Sequence, residues 1–307
     1  MEDIKMNTKR YNNPIFEGWY ADPEARYYEG KYWIYVTRSD TDFSRQQNLD
    51  AFSSEDLVHW EKHESIVDMR TFPWARSAVW APTIIDKDGK YYLVFAINDI
   101  QSDEETGGLC IGVSDSPAGP FRNSIGGILV DHFVNGAQPI DAHLFDDGEK
   151  IYLYFGGWRH CNVAVMKDTM DGFEPFPDGS IFREITPEGY VEGPCMLKRG
   201  KDYHFMWSEG NWMNGTYRVC TSRWASPVDP GKEKKTILTA DSEVADGPGH
   251  HGYLQIEGSD EFLIVYHRRI LGDAEPGHRV VCIDRLLFDE AGDMEKVVMT
   301  KAGELPF

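Results

Sequence analysis

Acidic residues and one histidine stand at matching positions of a sequence that repeats itself five times. Counting back seven or eight residues from the turn glycine of each repeat gives five positions, namely Asp22, Ala81, Asp141, Glu192 and His250. Carboxyl groups that crowd together shift one another's pKa values, which prepares one to donate a proton and another to accept one. We therefore interpret the set as acid/base machinery. The alternative is a solvated rim of turn-capping carboxylates, since Asp22 precedes a proline.

These positions head a strand–turn–strand unit that recurs at intervals of 59, 60, 51 and 58 residues. Each unit runs through an apolar strand to a turn and then into a second strand, and the turn glycines are Gly30, Gly89, Gly148, Gly200 and Gly258. Short aromatic runs bounded by Gly, Asp and Asn are typical of many short strands. A looser strand-and-turn signature alternates with the first and supplies further strands.

One such unit cannot bury both of its faces, so the five units must stack around a common axis. The sequence therefore predicts an all-β, five-bladed β-propeller with about four antiparallel strands per blade, in a single domain over residues 1–307. In that fold the heads of the inner strands converge at one mouth of the central channel. The acidic residues and the histidine would meet there.

The composition excludes several classes of function. The 51 acidic residues exceed the 31 basic ones, and a formal net charge of −20 argues against binding to nucleic acid or to a membrane surface. The five cysteines contain no CxxC pair, which disfavours zinc ribbons and thioredoxin-like chemistry. The polar first residues lack the apolar segment of a signal peptide, which favours a cytoplasmic location.

Six short motifs follow one another in order along nearly the whole chain: NPI at 13–15, YADP at 20–23, WAP at 80–82, ID at 140–141, EGP at 192–194 and PGHH at 248–251. Each motif is weak alone, but the ordered set resembles glycoside hydrolase family 43. The fold of that family is a five-bladed propeller, which agrees with the number of repeats.

The resemblance assigns a role to each carboxylate. It implies that Asp22 is the general base that activates water, and that Glu192 is the general acid that protonates the leaving oxygen. Asp141 becomes the third carboxylate, which raises the pKa of the acid and orients it. The implied outcome is inversion in a single displacement, with base and acid roughly 6.5–9.5 Å apart. This chemistry requires no cofactor.

Further residues are candidates for sugar binding. Trp80 stands beside a ring position and is the best stacking candidate, and Trp19, Trp158 and Trp212 are candidates for the pocket rim; packing between blades is the alternative for each. Arg279 resembles a family arginine that contacts the non-reducing sugar, with Arg285 as the alternative. His250, preferred to its neighbour by its repeat offset, matches a family histidine near the axis. That histidine is associated with a structural calcium ion or a water cluster.

The resemblance implies an inverting, exo-acting glycoside hydrolase that releases a terminal pentose from plant-type oligosaccharide. The chain ends about 57 residues after His250, without room for the C-terminal sandwich of many family xylosidases, which favours an α-L-arabinofuranosidase. β-D-Xylosidase or β-D-galactofuranosidase is the first alternative, followed by endo-arabinanase and then by a non-catalytic carbohydrate-binding propeller. A related phosphorylase would need a cationic phosphate site, for which the candidates are Arg159, His160, Arg268 and Arg269.

Overall fold

The computed structural model describes residues 9–305, and its regular secondary structure consists almost entirely of short antiparallel strands. A first strand, β1 (Arg10–Asn12), precedes the blades. Blade 1 contains four strands, β2 (Tyr20–Tyr28), β3 (Lys31–Arg38), β4 (Leu49–Ser54) and β5 (Glu61–His63). Blade 2 repeats this order with β6 (Trp80–Lys87), β7 (Lys90–Ile97), β8 (Gly108–Ser114) and β9 (Arg122–Asn123). Short 3-10 helices lie at Phe43–Arg45 and Met69–Thr71.

The remaining blades vary in their outer strands. Blade 3 contains five strands, β10 (His143–Asp146), β11 (Ile151–Phe155), β12 (Asn162–Met166), β13 (Phe173–Glu174) and β14 (Arg183–Glu184). Both β13 and β14 pair with β12, so two short strands share the outer position. Blade 4 contains four strands, β15 (Glu192–Arg199), β16 (Asp202–Glu209), β17 (Arg218–Trp224) and β18 (Lys235–Leu238). Blade 5 contains three, β19 (Asp246–Gln255), β20 (Phe262–Arg269) and β21 (Arg279–Leu286).

The outer edge of blade 5 is completed by the N-terminal part of the chain. The Ile15 amide donates to the Val281 carbonyl at 3.0 Å, which lays this segment along β21. The side-chain amide of Asn13 donates to the Ile283 carbonyl at 2.8 Å and accepts from the Ile283 amide at 3.0 Å, as a backbone group would. Beyond it, β1 pairs with β22 (Ala302–Glu304). Both ends of the described chain therefore hold the ring closed.

The core is divided among the five interfaces between neighbouring blades. One apolar cluster fills each interface; for example, Ile34 and Val36 of blade 1 pack with Leu263 and Val265 of blade 5. The first strands of the blades touch one another around the axis in the order β2, β6, β10, β15 and β19, and β19 returns to β2. The predicted five-bladed propeller is confirmed.

Each blade has a left-handed backbone residue near the head of its inner strand. The five residues and their φ angles are Asp22 (52°), Ala81 (46°), Asp141 (56°), Gly193 (63°) and His250 (29°). Four of the inner strands shift register there, as β-bulges do when they re-aim a side chain. Counting from the turn glycines placed Glu192 at the position equivalent to Asp22, Ala81, Asp141 and His250. In the structure the left-handed residue of blade 4 is Gly193, so Gly193 holds that position and Glu192 lies one residue before it.

The described residues contain no helix long and apolar enough to cross a membrane. The five cysteines are buried, and none forms a disulfide.

Candidate active site

A pocket opens at the end of the axis where the inner strands begin. Its lining includes the three catalytic candidates and four of the residues proposed for sugar binding, namely Asp22, Trp80, Asp141, Glu192, Trp212, His250 and Arg279, whereas Trp19, Trp158 and Arg285 are not among its lining residues. Three further residues line it that the sequence did not indicate, namely Phe43, Gln46 and Ile140. Strands of blades 1, 2, 4 and 5, the segment directly before the first strand of blade 3, and two loops therefore contribute to one site.

Amide hydrogen bonds between blades hold the left-handed residues in place. Four of these residues donate their N–H to a side chain of the preceding blade: Ala81 to Thr37 (2.7 Å), His250 to Ser208 (2.9 Å), Asp22 to His267 (3.2 Å) and Gly193 to Asp141 (3.2 Å). Thr37, Ser208 and His267 stand on the second strands of blades 1, 4 and 5. By strand register, the corresponding residue of blade 3 is Gly156. Since Gly156 has no side chain, the Asp141 carboxylate accepts the amide instead.

Asp22 lies among cationic and polar groups and is 8% exposed. Its Oδ1 atom is 3.2 Å from Nδ1 of His250, 3.3 Å from Nη1 of Arg279 and 3.4 Å from Nδ1 of His267. Burial alone would raise the pKa of Asp22, but the charges of Arg279 and His250 outweigh burial and hold that pKa well below its usual range. Asp22 is therefore ionised at neutral pH and can accept a proton.

Arg279 is fixed by three groups besides its carboxylate partner. Its Nε donates to the Ser39 hydroxyl at 2.9 Å, and that hydroxyl donates in turn to the Gly277 carbonyl at 2.6 Å. The guanidinium lies 4.8 Å from the centre of the Trp212 ring. The alternative arginine, Arg285, pairs with Glu261 on the surface at 2.7 Å. The structure thus places Arg279, and not Arg285, in the pocket.

Glu192 has a different environment from Asp22. The Tyr217 hydroxyl donates to its Oε1 atom at 2.8 Å. Desolvation of the carboxyl group raises the pKa of Glu192, and the charge of Asp22 raises it further, against the hydrogen bond from Tyr217 and the charges of His250 and Arg279. Glu192 therefore retains a proton to higher pH than an ordinary glutamate and can donate it.

Asp141 contacts the same imidazole as Asp22, that of His250. Its Oδ2 atom is 3.4 Å from Nδ1 of His250 and accepts the Gly193 amide. Burial raises the pKa of Asp141. The positive charge of His250 lowers that pKa, whereas the negative charges of Glu192 and Asp22 raise it further. Asp141 and Glu192 therefore titrate together, and their protonation states are linked.

An aromatic wall borders the pocket on the side of blades 1 and 2. The Trp80 indole N–H donates to the Gln46 side-chain carbonyl, and the Phe43 ring meets the Trp80 ring edge-on at 4.8 Å. Phe43 and Gln46 belong to the loop between the second and third strands of blade 1, outside the strand–turn–strand unit from which the sequence positions were counted. His267 and Tyr217, which contact Asp22 and Glu192, lie on a second strand and in a loop, away from the repeat positions that the sequence highlighted.

Comparison with known proteins identifies the family. The model of glycosyl hydrolases family 43 matches residues 11–294. The chain belongs to this family. It is therefore a glycoside hydrolase, and the enzyme class predicted from the sequence is confirmed.

Family 43 relatives cover nearly the whole chain. The β-D-galactofuranosidase xynD of Aspergillus niger is 41% identical over 97% of this chain and 87% of its own length. A xylosidase/arabinosidase of Bacteroides ovatus is 25% identical over 92% of this chain and 96% of its own. The structure of CoXyl43, a β-xylosidase/α-arabinofuranosidase from a compost metagenome solved with xylotriose in a calcium-free form, has a TM-score of 0.77 and 22% identity, and covers 94% of this chain and 98% of its own.

The residues around His250 do not fit the calcium ion that resemblance to family 43 suggested. Burial would lower the pKa of His250, but the neighbouring Asp141 and Asp22 raise it to about 9, so the ring is protonated at neutral pH. A protonated imidazole donates hydrogen bonds and has no lone pair for a metal. The adjacent His251 is buried with neither ring nitrogen bonded to protein, but calcium takes six to eight oxygen ligands. Within residues 9–305 no three His, Cys, Asp or Glu side chains form a metal-binding group.

Three of the four groups proposed for a phosphate site have partners elsewhere in this family 43 structure. Arg268 donates to the Thr300 carbonyl at 2.9 Å, and Arg269 donates to the Met213 carbonyl at 2.6 Å. The ring of His160 is 2.8 Å from Glu184. These groups have partners within the protein and do not line the pocket.

Proposed function

We propose that this enzyme is an inverting exo-glycosidase that removes terminal β-D-galactofuranosyl residues from oligosaccharides. The observation that carries the proposal is the 41% identity to the Aspergillus niger β-D-galactofuranosidase across 97% of the chain. α-L-Arabinofuranose, which the sequence favoured, has the same ring configuration and lacks only one carbon of the exocyclic arm. A pocket for one of these sugars therefore differs from a pocket for the other mainly where that arm lies.

In the proposed reaction, ionised Asp22 takes a proton from water as the water oxygen attacks the anomeric carbon. Protonated Glu192 gives its proton to the glycosidic oxygen while the bond between that oxygen and the anomeric carbon breaks. The sugar leaves with inverted configuration, and the departing oxygen leaves as an alcohol. Proton exchange with solvent then restores both carboxyl groups. The imidazolium of His250 lies between Asp22 and Asp141 and reduces the repulsion between their negative charges.

Exo action is supported by the lining of the pocket. Trp80 and Trp212 supply apolar aromatic surface beside the carboxylates, as a site for one sugar ring requires. Arg279 presents guanidinium N–H groups to the same space, where sugar hydroxyls would accept hydrogen bonds. We propose that these three residues bind the terminal sugar.

The deciding experiment compares the hydrolysis of p-nitrophenyl β-D-galactofuranoside, α-L-arabinofuranoside and β-D-xylopyranoside. We expect the highest kcat/KM on the galactofuranoside, with proton NMR showing the α anomer as first product. The arabinofuranoside is the second candidate, because the Bacteroides ovatus relative is a xylosidase/arabinosidase. Preference for the xyloside, or a first product of retained configuration, would overturn the proposal. Binding of oligosaccharides without any turnover would point to a carbohydrate-binding propeller.

The proposed mechanism has no step that involves a metal ion. We therefore expect EDTA treatment to leave kcat on the best aryl glycoside unchanged, with metal content checked by mass spectrometry before and after. A fall in kcat that calcium reverses, and that magnesium does not, would show that the axis holds a functional ion. A plant-type source of the substrate and a cytoplasmic location stay predictions from the sequence.

A further inference from the structure

An exposed tryptophan stands in the loop between the second and third strands of blade 3. Trp158 is 49% exposed, so about half of a large apolar side chain faces solvent. Its φ is 54° and that of the next residue, Arg159, is 68°. Consecutive left-handed residues other than glycine are strained, and such strain persists only where the surroundings fix the backbone.

Hydrogen bonds fix this loop to two walls of the catalytic pocket. The Gly157 amide donates to the Gln138 carbonyl at 3.0 Å, and a Cβ on Gly157 would lie 2.7 Å from Cδ1 of Ile140, which lines the pocket. On the other side, the Arg159 amide donates to the Val191 carbonyl at 3.2 Å, directly before Glu192. Trp158 is thus held at the rim between the wall of blade 3 and the strand that carries Glu192.

Two neighbours make Trp158 suited to a sugar. The Phe133 ring lies 4.8 Å from the indole at an angle of 59° and supports it from one side. The Arg159 side chain is exposed and has no carboxylate partner among residues 9–305, although the chain has a net charge of −20. A flat apolar face beside free N–H donors is the combination that binds a pyranose or furanose ring.

The position of the general acid indicates which sugar of the substrate would contact Trp158. The general acid gives its proton to the glycosidic oxygen, so the group that departs with that oxygen must emerge beside Glu192. We infer that Trp158 is the stacking platform for the first sugar of the leaving group, with Arg159 donating to its hydroxyls. The inference rests on the proposed assignment of Glu192 as the acid. It gives the enzyme a subsite for a glycan aglycone beyond its pocket for the terminal sugar.

The test compares two substrates that share the same terminal sugar. One is the methyl glycoside, which has no ring on the leaving side, and the other is the disaccharide. We expect Trp158→Ala to lower kcat/KM on the disaccharide about tenfold more than on the methyl glycoside, mainly through KM. Trp158→Phe, which keeps an aromatic face, should recover most of the difference. An equal loss on the two substrates would overturn the inference.

Trp19 offers a matched control. It is 42% exposed and stacks on His278 at 4.3 Å, next to Arg279 and the base Asp22, where the water attacks. Trp19→Ala should leave the ratio of kcat/KM on the disaccharide to kcat/KM on the methyl glycoside at its wild-type value. A change in this ratio as large as that caused by Trp158→Ala would contradict the assignment. If the preferred terminal sugar proves to be xylose, the proposed function fails, but methyl xyloside and xylobiose still decide the role of Trp158. A chain that hydrolyses none of these substrates overturns both.

Discussion

Two carboxylates in one pocket have opposite electrostatic surroundings. Asp22, where blade 1 meets blade 5, has the cationic groups of Arg279 and His250 within 3.3 Å of one oxygen. Glu192, in blade 4, has a hydrogen bond from the neutral Tyr217. Both groups are removed from bulk water, which favours the protonated form of each. The difference shows that positive partners, and not burial, decide which carboxylate is the base.

The largest expected effect comes from removing the base itself. Asp22→Ala should lower kcat on the best aryl furanoside by about 10³- to 10⁴-fold, because no other carboxylate in the pocket is held ionised so strongly. The matched control is Asp168→Ala, which removes an exposed aspartate of the surface that pairs with Lys87. Residual activity within tenfold of the wild-type enzyme would assign the base to another residue.

Glu192→Gln should separate good leaving groups from poor ones. An activated aryl group departs with little protonation, so its kcat should fall about tenfold, whereas an alkyl or sugar leaving group should lose about 10²- to 10³-fold. The measurement is kcat over a series of aryl furanosides of increasing leaving-group pKa. A uniform loss across the series would mean that Glu192 is not the acid.

Arg279→Gln tests the cationic partner directly. Arg279 lowers the pKa of Asp22, so without its charge that pKa rises, and more acid suffices to protonate the base. The acidic limb of the pH profile of kcat/KM should therefore move to higher pH by about one unit or more. Arg285→Gln, on the same strand but paired with Glu261 on the surface, should leave the limb in place. A limb that stays at its wild-type pH in Arg279→Gln would contradict this account of the base.

The smallest effect is expected from Tyr217→Phe. The Tyr217 hydrogen bond favours the ionised form of Glu192, so its loss raises the pKa of the acid further. The alkaline limb of the pH profile should move to higher pH by about half a unit, with kcat reduced less than about fivefold. Tyr154→Phe is the control, because its buried hydroxyl donates to the Pro227 carbonyl instead. Movement of the limb to lower pH would contradict the assigned hydrogen bond.

The repeats predicted the features that recur, and the resemblance to family 43 added Arg279, but neither indicated the contacts that form only in the folded ring. Five turn glycines give five blades, but the Asn13 side chain that completes blade 5 bonds Ile283, far along the chain, with no local pattern. Counting residues gives no information on φ angles, so it assigned Glu192 to the left-handed position of blade 4 that Gly193 occupies. Tyr217 and His267 lie outside the strand heads, and only the folded ring brings them to the carboxylates.

The closure of the ring also determines when, during synthesis and folding, the active site can form. Asp22 leaves the ribosome early, whereas Arg279, its partner, is synthesised 257 residues later. Until blade 5 has emerged, the nascent chain lacks the guanidinium that offsets the burial of Asp22 in the folded pocket. Contacts this distant in sequence form slowly and late. Catalytic competence should therefore arise in a single step, when blade 5 docks onto blade 1.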